Sequence, residues 1–500
     1  MIQETRIRVG HYHEPYVLLE SRTVFDTSNN SRSKINTTWI TDTTFGTFCA
    51  AVKYQLYLNW SMFASFERLV LLLLTVVSTL CQAAFVKNLC LRIPSFLFAK
   101  EQTMAPNRQP ASRSITSSPD TSGIAERTKN MAARAAAGDP LTDSELDDVV
   151  NSIKNIAPKE TSINYDALRS LLSEIAHISH KDWTRTGNNS ECFGRVLLPE
   201  GLSSNAIQML DRILEEGNWN GAETYAVQKR TDHTPWAVLV TGVNGIRKTT
   251  TIYQSWFPDL LAEALIAPEG YDTGFDRGSL PCGANSFFRQ LDHMIATLCN
   301  EDFAQLYALI GKELKDGEEP TKDLMRQYSN LKAAIFTRYR TLSELLGVWL
   351  LREAQTLKSN CMMETSGRDI AMFHYVDHFF PTDYKKLVLH FTVNDLSCAQ
   401  QSVDTRMLME LKDGIEALMG MDAFKVIYAN AGGPYGSEVL AGVQEASDRV
   451  WNEVVLNGNE IGRDWYKATI TINAHQTEPW TAQAVCPDGS LGTTFSFERR

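Results

Sequence analysis

The spacing of apolar and polar residues predicts strands that alternate with helices in the second half of the chain. Four short apolar runs predict buried strands at Trp236–Thr241, Cys361–Glu364, Leu387–Val393 and Phe424–Ala429. Amphipathic segments between them predict helices at Thr249–Leu265, Tyr328–Tyr339 and Thr341–Leu357. This alternation, with nearly continuous apolar strands, indicates an α/β fold: a doubly wound parallel sheet covered by helices on both faces.

A helical pattern precedes the first of these strands. Thr142 and Glu145 fit a capping box, and Leu146 begins a series of apolar residues at helical spacing. The same spacing recurs at Tyr165–His177 and Asn205–Glu216. We therefore predict a helical lead-in over residues 139–231, an α/β domain over 232–460 and a strand-rich tail over 461–500.

Leu69–Val86 is a hydrophobic span of a different kind. It contains eighteen residues without a charge, between Arg68 and Lys87. As a helix it is about 27 Å long, close to the roughly 30 Å of a bilayer core. It fits a membrane anchor, the apolar part of a signal peptide that starts at Met62, or, least well, a buried helix.

The residues around this span have the composition of a targeting segment and a linker. Cys81–Phe85 resembles the Ala/Phe cleavage signal of plastid targeting, and Met104–Gly138 is rich in Ser, Pro, Ala and Arg. We interpret 1–138 as a targeting or anchor segment followed by a disordered linker. The expected location is a membrane, the secretory route or an organelle such as a plastid. It is the cytoplasm if the N-terminus is a gene-model artefact, and the true start could be Met1, Met62 or Met104.

Composition and charge exclude several classes of protein. Hydrophobic residues make up 43% of the 500 residues, which excludes a fully disordered chain. The net charge is −11, divided between +6 for residues 1–138 and −17 for the remainder, and argues against a nucleic-acid partner. The nine cysteines form no CxxC pair, so neither a disulfide scaffold nor a zinc site is indicated.

The segment GVNGIRKTT carries the strongest chemical signal. It follows the first predicted strand, opens a helix, and matches the phosphate-binding pattern GxxxxGK[ST] except at the second glycine. Backbone N–H groups of such a loop converge on phosphate oxygens. The candidate nucleotide-binding residues are Gly242, Val243, Asn244, Gly245, Ile246, Arg247, Lys248, Thr249 and Thr250.

Three side chains of this loop have distinct expected roles. Lys248 is expected to bridge the β- and γ-phosphates of ATP, and the Thr249 hydroxyl to ligate Mg²⁺. Arg247 stands where the pattern has glycine, so it either adds a phosphate contact or marks a degraded site. The alternative is an ordinary strand–turn–helix without a binding function, in which a lysine stands at position 248 by chance.

The ends of the other predicted strands supply the remaining candidates. Glu364 is placed to bind Mg²⁺ or the acceptor, and Arg368 to clamp a phosphate, unless the segment merely caps a helix. Arg406 is expected to act as a lid over the transferring phosphoryl group, or else to be a solvated arginine paired with Asp404. Asn430 stands where a P-loop kinase contacts adenine, although an ordinary turn fits as well.

Asp292 is the candidate general base. It follows the segment NSFFRQ after the first predicted helix, the region that presents the acceptor in P-loop kinases. The alternative is that Asp292 starts a helix.

Together these motifs resemble the zeta-toxin family of P-loop kinases over about Trp236–Leu440. The resemblance rests on GVNGIRKTT, NSFFRQ, METSGRD, the helix that reaches Arg406, and YANAGG. It implies an adenylate-kinase-type fold and ATP-dependent phosphorylation, which bacterial members carry out on UDP-N-acetylglucosamine. Lys248, Thr249 and Glu364 match the family pattern. Ser286 stands where the family has its catalytic aspartate, which leaves the base and the acceptor open.

The sequence thus predicts a kinase that uses ATP and Mg²⁺ to phosphorylate a hydroxyl of a small molecule. Two other functions stay open: a P-loop ATPase or GTPase switch, and a catalytically weak nucleotide-binding scaffold. GTP is the less favoured nucleotide, because no Asn/Thr-Lys-x-Asp motif is present.

Overall fold

The computed structural model divides the chain into two compact units, Met1–Arg108 and Gln109–Arg500. In the second unit it describes residues 123–178, 182–229, 234–268, 286–290, 294–314, 319–420, 422–430, 432–457, 462–476 and 479–497. In the first unit it describes five strands. The hydrophobic span Leu69–Val86 lies outside the described residues.

The five strands of the first unit form two small antiparallel arrangements. They are β1 (Ile2–Val9), β2 (Val17–Val24), β3 (Ser33–Ile35), β4 (Thr38–Ile40) and β5 (Leu56–Leu58). The order β1-β2-β4 makes a three-stranded sheet, and β3 pairs with β5.

The second unit is an α/β structure built on one mixed sheet of seven strands. The strands are β6 (Trp236–Thr241), β7 (Phe287–Gln290), β8 (Asn360–Glu364), β9 (Lys385–Val393), β10 (Tyr466–Asn473), β11 (Thr481–Val485) and β12 (Leu491–Ser496). Their order is β12-β11-β10-β9-β6-β8-β7. The five strands from β10 to β7 are parallel, and β11 and β12 add an antiparallel edge.

Seventeen described α-helices surround this sheet, and the shortest of them follow β7 and the predicted phosphate loop, Gly242–Arg247, which we call the phosphate loop. They are α1 (Ile124–Ala137), α2 (Asp143–Ile156), α3 (Tyr165–Ile175), α4 (Trp183–Leu197), α5 (Ser204–Met209), α6 (Asp211–Glu216), α7 (Trp219–Gln228), α8 (Lys248–Ile252), α9 (Phe257–Ala264), α10 (Met294–Leu298), α11 (Asn300–Glu313), α12 (Lys322–Arg338), α13 (Arg340–Thr356), α14 (Ala371–Phe379), α15 (Leu396–Met419), α16 (Ala423–Ala429) and α17 (Leu440–Arg449). A 3₁₀ turn at Ser437–Val439 precedes α17, and a π-helical turn at Val450–Leu456 follows it.

The apolar strand pattern identified the centre of this sheet. Strand β6 has the predicted bounds and all six of its residues are buried, so helices cover both of its faces. The predictions for β8 and β9 were short by one and two residues at their first ends. The capping box of Thr142 and Glu145 is confirmed at the start of α2.

The predicted strand Phe424–Ala429 is wrong, because these residues form helix α16. The Asp422 carboxylate accepts hydrogen bonds from the backbone N–H groups of Phe424 and Lys425, which caps a helix. Buried and exposed residues then alternate with helical spacing, since Phe424 and Ile427 are buried while Lys425 between them is exposed. A six-residue apolar run does not distinguish a strand from a buried helix by composition alone.

The linker predicted over Met104–Gly138 is wrong for its second half, which forms α1. Met131 of this helix is buried. Arg127 pairs with Asp148 and Arg134 with Glu145, both on α2. The alanine-rich sequence has a high intrinsic helix propensity, and the tertiary contacts stabilise the helix further.

Two other differences concern the helix after the phosphate loop and the carboxyl-terminal tail. The predicted helix Thr249–Leu265 is divided into α8 and α9, with Pro258 in the first turn of α9. The strand-rich tail is not an appendage: β10 lies parallel to β9, and its partner β11 carries β12.

No helix among the described residues is both long and apolar enough to cross a bilayer.

Candidate functional site

The carboxyl ends of parallel strands β6, β8 and β7 bring the main candidate side chains to one edge of the sheet. Val240 of β6 pairs with Glu364 of β8, and Met363 of β8 pairs with Gln290 of β7. The phosphate loop therefore begins beside the tip that bears Glu364. This is the edge of an open α/β sheet at which ligands bind.

The backbone of the phosphate loop has three residues with positive φ. The angles are 126° at Gly242, 85° at Gly245 and 64° at Arg247. Such residues turn successive N–H groups toward one concave side, which creates a site for an anion. The conformation costs Arg247 about 1–2 kcal/mol that glycine would not lose.

Lys248 closes the loop from the inside. Its side chain is buried, and Nζ donates hydrogen bonds to the carbonyl oxygens of Gly242 (2.8 Å) and Val243 (2.9 Å). The ammonium group is therefore held against two carbonyl oxygens of the loop.

Thr249 and Glu364 form the second part of the site. The Thr249 hydroxyl donates to Oε1 of Glu364 at 2.5 Å, and the same oxygen accepts from Arg289 at 3.2 Å. A hydroxyl and a carboxylate in contact are oxygen donors of the kind that Mg²⁺ takes beside water and phosphate, so these two residues fit that ion. Among the described residues, no three His, Cys, Asp or Glu side chains are grouped as a metal site formed by protein alone would require.

A cavity of about 650 Å³ adjoins this edge of the sheet. Asn244, Lys248, Glu364 and Arg368 line it on the side of the strand ends. The opposite wall comes from the ends of α1 and α3 and from helices α12 and α13. The volume is within the ordinary range of small-molecule sites.

Glu344 of α13 is a cavity residue that the sequence did not single out. Its Oε1 accepts a hydrogen bond from Arg340 at 2.9 Å, while the buried Oε2 has no hydrogen-bond partner among the described residues. Burial raises the pKa of Glu344 to about 7, against the opposing effect of Arg340. A carboxyl group of this kind in a cavity is a candidate acid or base. The available signal was a single acid within the apolar run from Leu342 to Leu351.

Other polar groups on that wall are less available. Arg338 is buried and bonds both oxygens of Glu145. His177 at the end of α3 has a pKa below its ordinary value, because burial and the nearby Arg338 disfavour its charge. The buried Nδ1 of His177 has no partner among the described residues.

The remaining predicted residues fall into three groups. Arg368 lines the cavity and lies over the ring of Tyr435 at 4.7 Å. Arg406 and Asn430 do not line the cavity. Asp292, the predicted base, lies outside the described residues.

Arg406 and Asn430 instead lie in a region that α15 connects to the phosphate loop. Gly245 packs closely on the backbone of α15 at Ala399, and Arg406, about two turns further on, packs against Gly432. Asn430 begins that glycine-containing loop. Its side chain is fully buried, and neither atom of its carboxamide has a hydrogen-bond partner among the described residues.

Arg247 makes contacts that the sequence did not predict. Its guanidinium lies 4.4 Å from the centre of the Trp480 ring and 5.5 Å from that of Phe497. Both aromatic residues belong to the predicted tail. The side chain at the second glycine position is thus held by cation–π contacts with the edge of the sheet.

No protein-family model, curated protein or solved structure matches this chain, and the likeness to zeta toxins therefore stays a prediction from the motifs.

Proposed function

We propose that this protein is an ATP-dependent phosphotransferase with a P-loop kinase fold, which transfers phosphate to a hydroxyl of a small molecule. The observation that carries the proposal is the position of Lys248, which closes an anion-binding loop and also lines the 650 Å³ cavity. The loop that Lys248 closes suits the phosphates of a nucleoside triphosphate, and the cavity that Lys248 lines provides space for an acceptor.

Each residue of the strand-end cluster has a role in this scheme. Lys248 binds the β- and γ-phosphate oxygens and stabilises the charge that develops on them. Thr249 and Glu364 would hold Mg²⁺, which would neutralise part of the charge of the transferring group. Arg289 keeps the Glu364 carboxylate in place through the contact at 3.2 Å.

Asn430 favours adenine as the base of the nucleotide. The edge of adenine presents one donor and one acceptor, which match the two carboxamide atoms of an asparagine. The path along α15 spans about 10 Å, the scale on which a base is separated from its terminal phosphates.

Glu344 is the general base of this scheme. Glu344 lines the same cavity as Lys248, and its pKa of about 7 lets its carboxylate accept a proton from an acceptor hydroxyl near neutral pH. The proton moves from the hydroxyl to the Glu344 carboxylate while the hydroxyl oxygen bonds to the γ-phosphorus and ADP leaves.

A nucleotide-binding protein with weak or no transfer is the second candidate function. Two residues favour it: Arg247 replaces a glycine, and Ser286 replaces the aspartate of the resembled family. Binding of ATP with no transfer to any acceptor would support this alternative.

The experiment that tests the main proposal is a phosphotransfer screen of the full chain. Labelled ATP and Mg²⁺ are supplied with sugar-nucleotides and with other hydroxyl-bearing metabolites. A labelled small-molecule product that requires the protein supports a kinase. Binding of ATP with release of phosphate to water alone would indicate a hydrolase instead.

Glu344→Gln is expected to lower kcat by about 100-fold, the usual contribution of a general base. With Glu344 intact, we expect the rate to rise with pH up to about 7 and then to level off, because only the ionised carboxylate accepts a proton. The variant should lose this rise. The measurement is a pH–rate profile of both proteins, with Glu353→Gln on the same helix as the control.

The stability of the same variant separates chemistry from misfolding. The pKa of Glu344 is raised from 4.5 to about 7, so the folded state loses stability as the pH rises between these values. At pH 8, Glu344→Gln should therefore be more stable than the unaltered protein by up to about 3 kcal/mol, with no gain near pH 4. A variant that is both inactive and less stable at pH 8 would count against the assignment.

A further inference from the structure

The carboxyl-terminal strand contacts the phosphate loop at the position where the loop departs from its pattern. Arg247 has φ 64° and ψ 30°, a left-handed conformation that favours glycine. Its guanidinium lies against Trp480 and Phe497, which we call the aromatic slot. Both rings of the slot are buried, so the slot is part of the folded core and not an exposed surface.

The backbone keeps the two rings of the slot together. Phe497 follows β12, Trp480 precedes β11, and the N–H of Phe497 donates to the carbonyl of Trp480 at 3.3 Å. The indole N–H of Trp480 donates to the carbonyl of His475 at 2.9 Å. The slot is therefore a product of the pairing between β11 and β12, at the edge of the sheet.

The same strand also holds the residues beyond α8. Trp256 stacks on Phe495 with ring centres 5.2 Å apart, and its indole N–H donates to the carbonyl of Ser496 at 2.9 Å. Glu263 of α9 accepts hydrogen bonds from the N–H and the hydroxyl of Thr493, at 2.6 and 2.7 Å. Strand β12 and Phe497, which follows it, thus contact Arg247 just before α8 and the residues Trp256 and Glu263 beyond its end.

We propose that β12 is a positioning element for the nucleotide site and that it acts through Arg247 in the aromatic slot. The slot holds Arg247 in the left-handed conformation, and so it keeps the N–H groups of the loop directed toward the phosphates. In most P-loops glycine adopts this conformation without help. Here the loop depends on a strand more than two hundred residues away in the sequence. The inference rests on the nucleotide binding proposed above.

The test measures Mg·ATP affinity by calorimetry on the full chain. Phe497→Leu keeps an apolar side chain of similar size but removes the π face, and it should weaken binding about fivefold, the effect expected for one cation–π contact. Phe497→Tyr keeps the π face and should bind as the unaltered protein does. Leu491→Ala is the control, because Leu491 is 63% exposed on the same strand.

A second background isolates the role of Arg247. In R247G the loop no longer needs the slot, so Phe497→Leu should have no further effect on Mg·ATP affinity. If Phe497→Leu weakens binding equally in both backgrounds, or in neither, the proposal is wrong. Equal losses in Phe497→Leu and Phe497→Tyr would also overturn it, since they indicate packing and not a cation–π contact.

Hydrogen exchange of the protein without nucleotide keeps this test separate from the proposed function. Phe497→Leu should speed exchange of the backbone amides of residues 243–250 about fivefold, while Leu491→Ala should not. If the unaltered protein binds no Mg·ATP, the proposed function fails, and the exchange rates alone decide whether β12 positions the loop. Unchanged exchange in Phe497→Leu would refute the positioning role whatever the affinities are.

Discussion

Lys248→Met is expected to lower kcat/KM for phosphotransfer by at least about 1000-fold, or about 4 kcal/mol of transition-state stabilisation. The ammonium group lies within 3 Å of two loop carbonyls, so it is positioned before the nucleotide binds. Methionine retains the unbranched apolar part of the side chain but is one atom shorter and carries no charge. The loss should therefore fall on the charged phosphates and not on the packing of α8.

The matched control for this variant is Lys425→Met, which removes one charge from an exposed position on α16. Rates and thermal unfolding should be measured for both variants. A folded Lys248→Met protein with nearly full activity would exclude the phosphate loop from the reaction.

Arg127→Met is expected to reduce the free energy of unfolding by about 3 kcal/mol, because it leaves buried carboxylates without a counter-ion. Arg127 of α1 lies 2.8 Å from Asp148 and 3.7 Å from Asp302. The side chain of Asp302 is 1% exposed. Against a total stability of about 5–15 kcal/mol, such a loss is large.

The loss should depend on pH in a defined direction. Burial raises the pKa of both Asp148 and Asp302, and Arg127 opposes that rise. Carboxyl groups with a raised pKa destabilise the folded state as the pH increases through their titration. Arg127→Met should therefore cost more at pH 8 than at pH 5, as urea unfolding at the two values will measure.

Asp148→Asn in the Arg127→Met background is the rescue variant. It removes one of the two carboxylates that the arginine compensates, so we expect part of the lost stability to return at pH 8.

The same reasoning predicts that a chain starting at Leu141, which lacks α1 and hence Arg127 and Arg134, is less stable than one starting at Gln109. Equal stability of these two chains would show that α1 is dispensable.

Local sequence was sufficient to predict the helices and strands that their own residues specify. The capping box of α2 and the continuous apolar run of β6 were predicted because neighbouring residues alone encode them. Helix α16 was mistaken for a strand, since its apolar run is short and the decisive Asp422 cap lies just before it. Strand β7 was missed because its four residues join the sheet only through their pairing with β8.

The residues of the candidate site that follow strands could also be predicted from the sequence. Lys248, Thr249 and Glu364 follow strands, and parallel strands bring their ends to one edge of the sheet, so their proximity could be expected from the sequence. Glu344 could not be identified in this way, because it lies in helix α13 and not at the end of a strand. Its raised pKa is a consequence of burial, which the local sequence does not show.

The sequence by itself determined the chemistry of the phosphate loop: its residue types, its position after a strand and the departure at Arg247. Only the tertiary structure decided which residues that side chain contacts. Burial, ion pairing and cation–π contact depend on residues that are distant in the chain, and no local pattern records them. The contact of Arg247 with Trp480 and Phe497 and the pairing of Arg127 with Asp302 are therefore properties of the folded molecule alone.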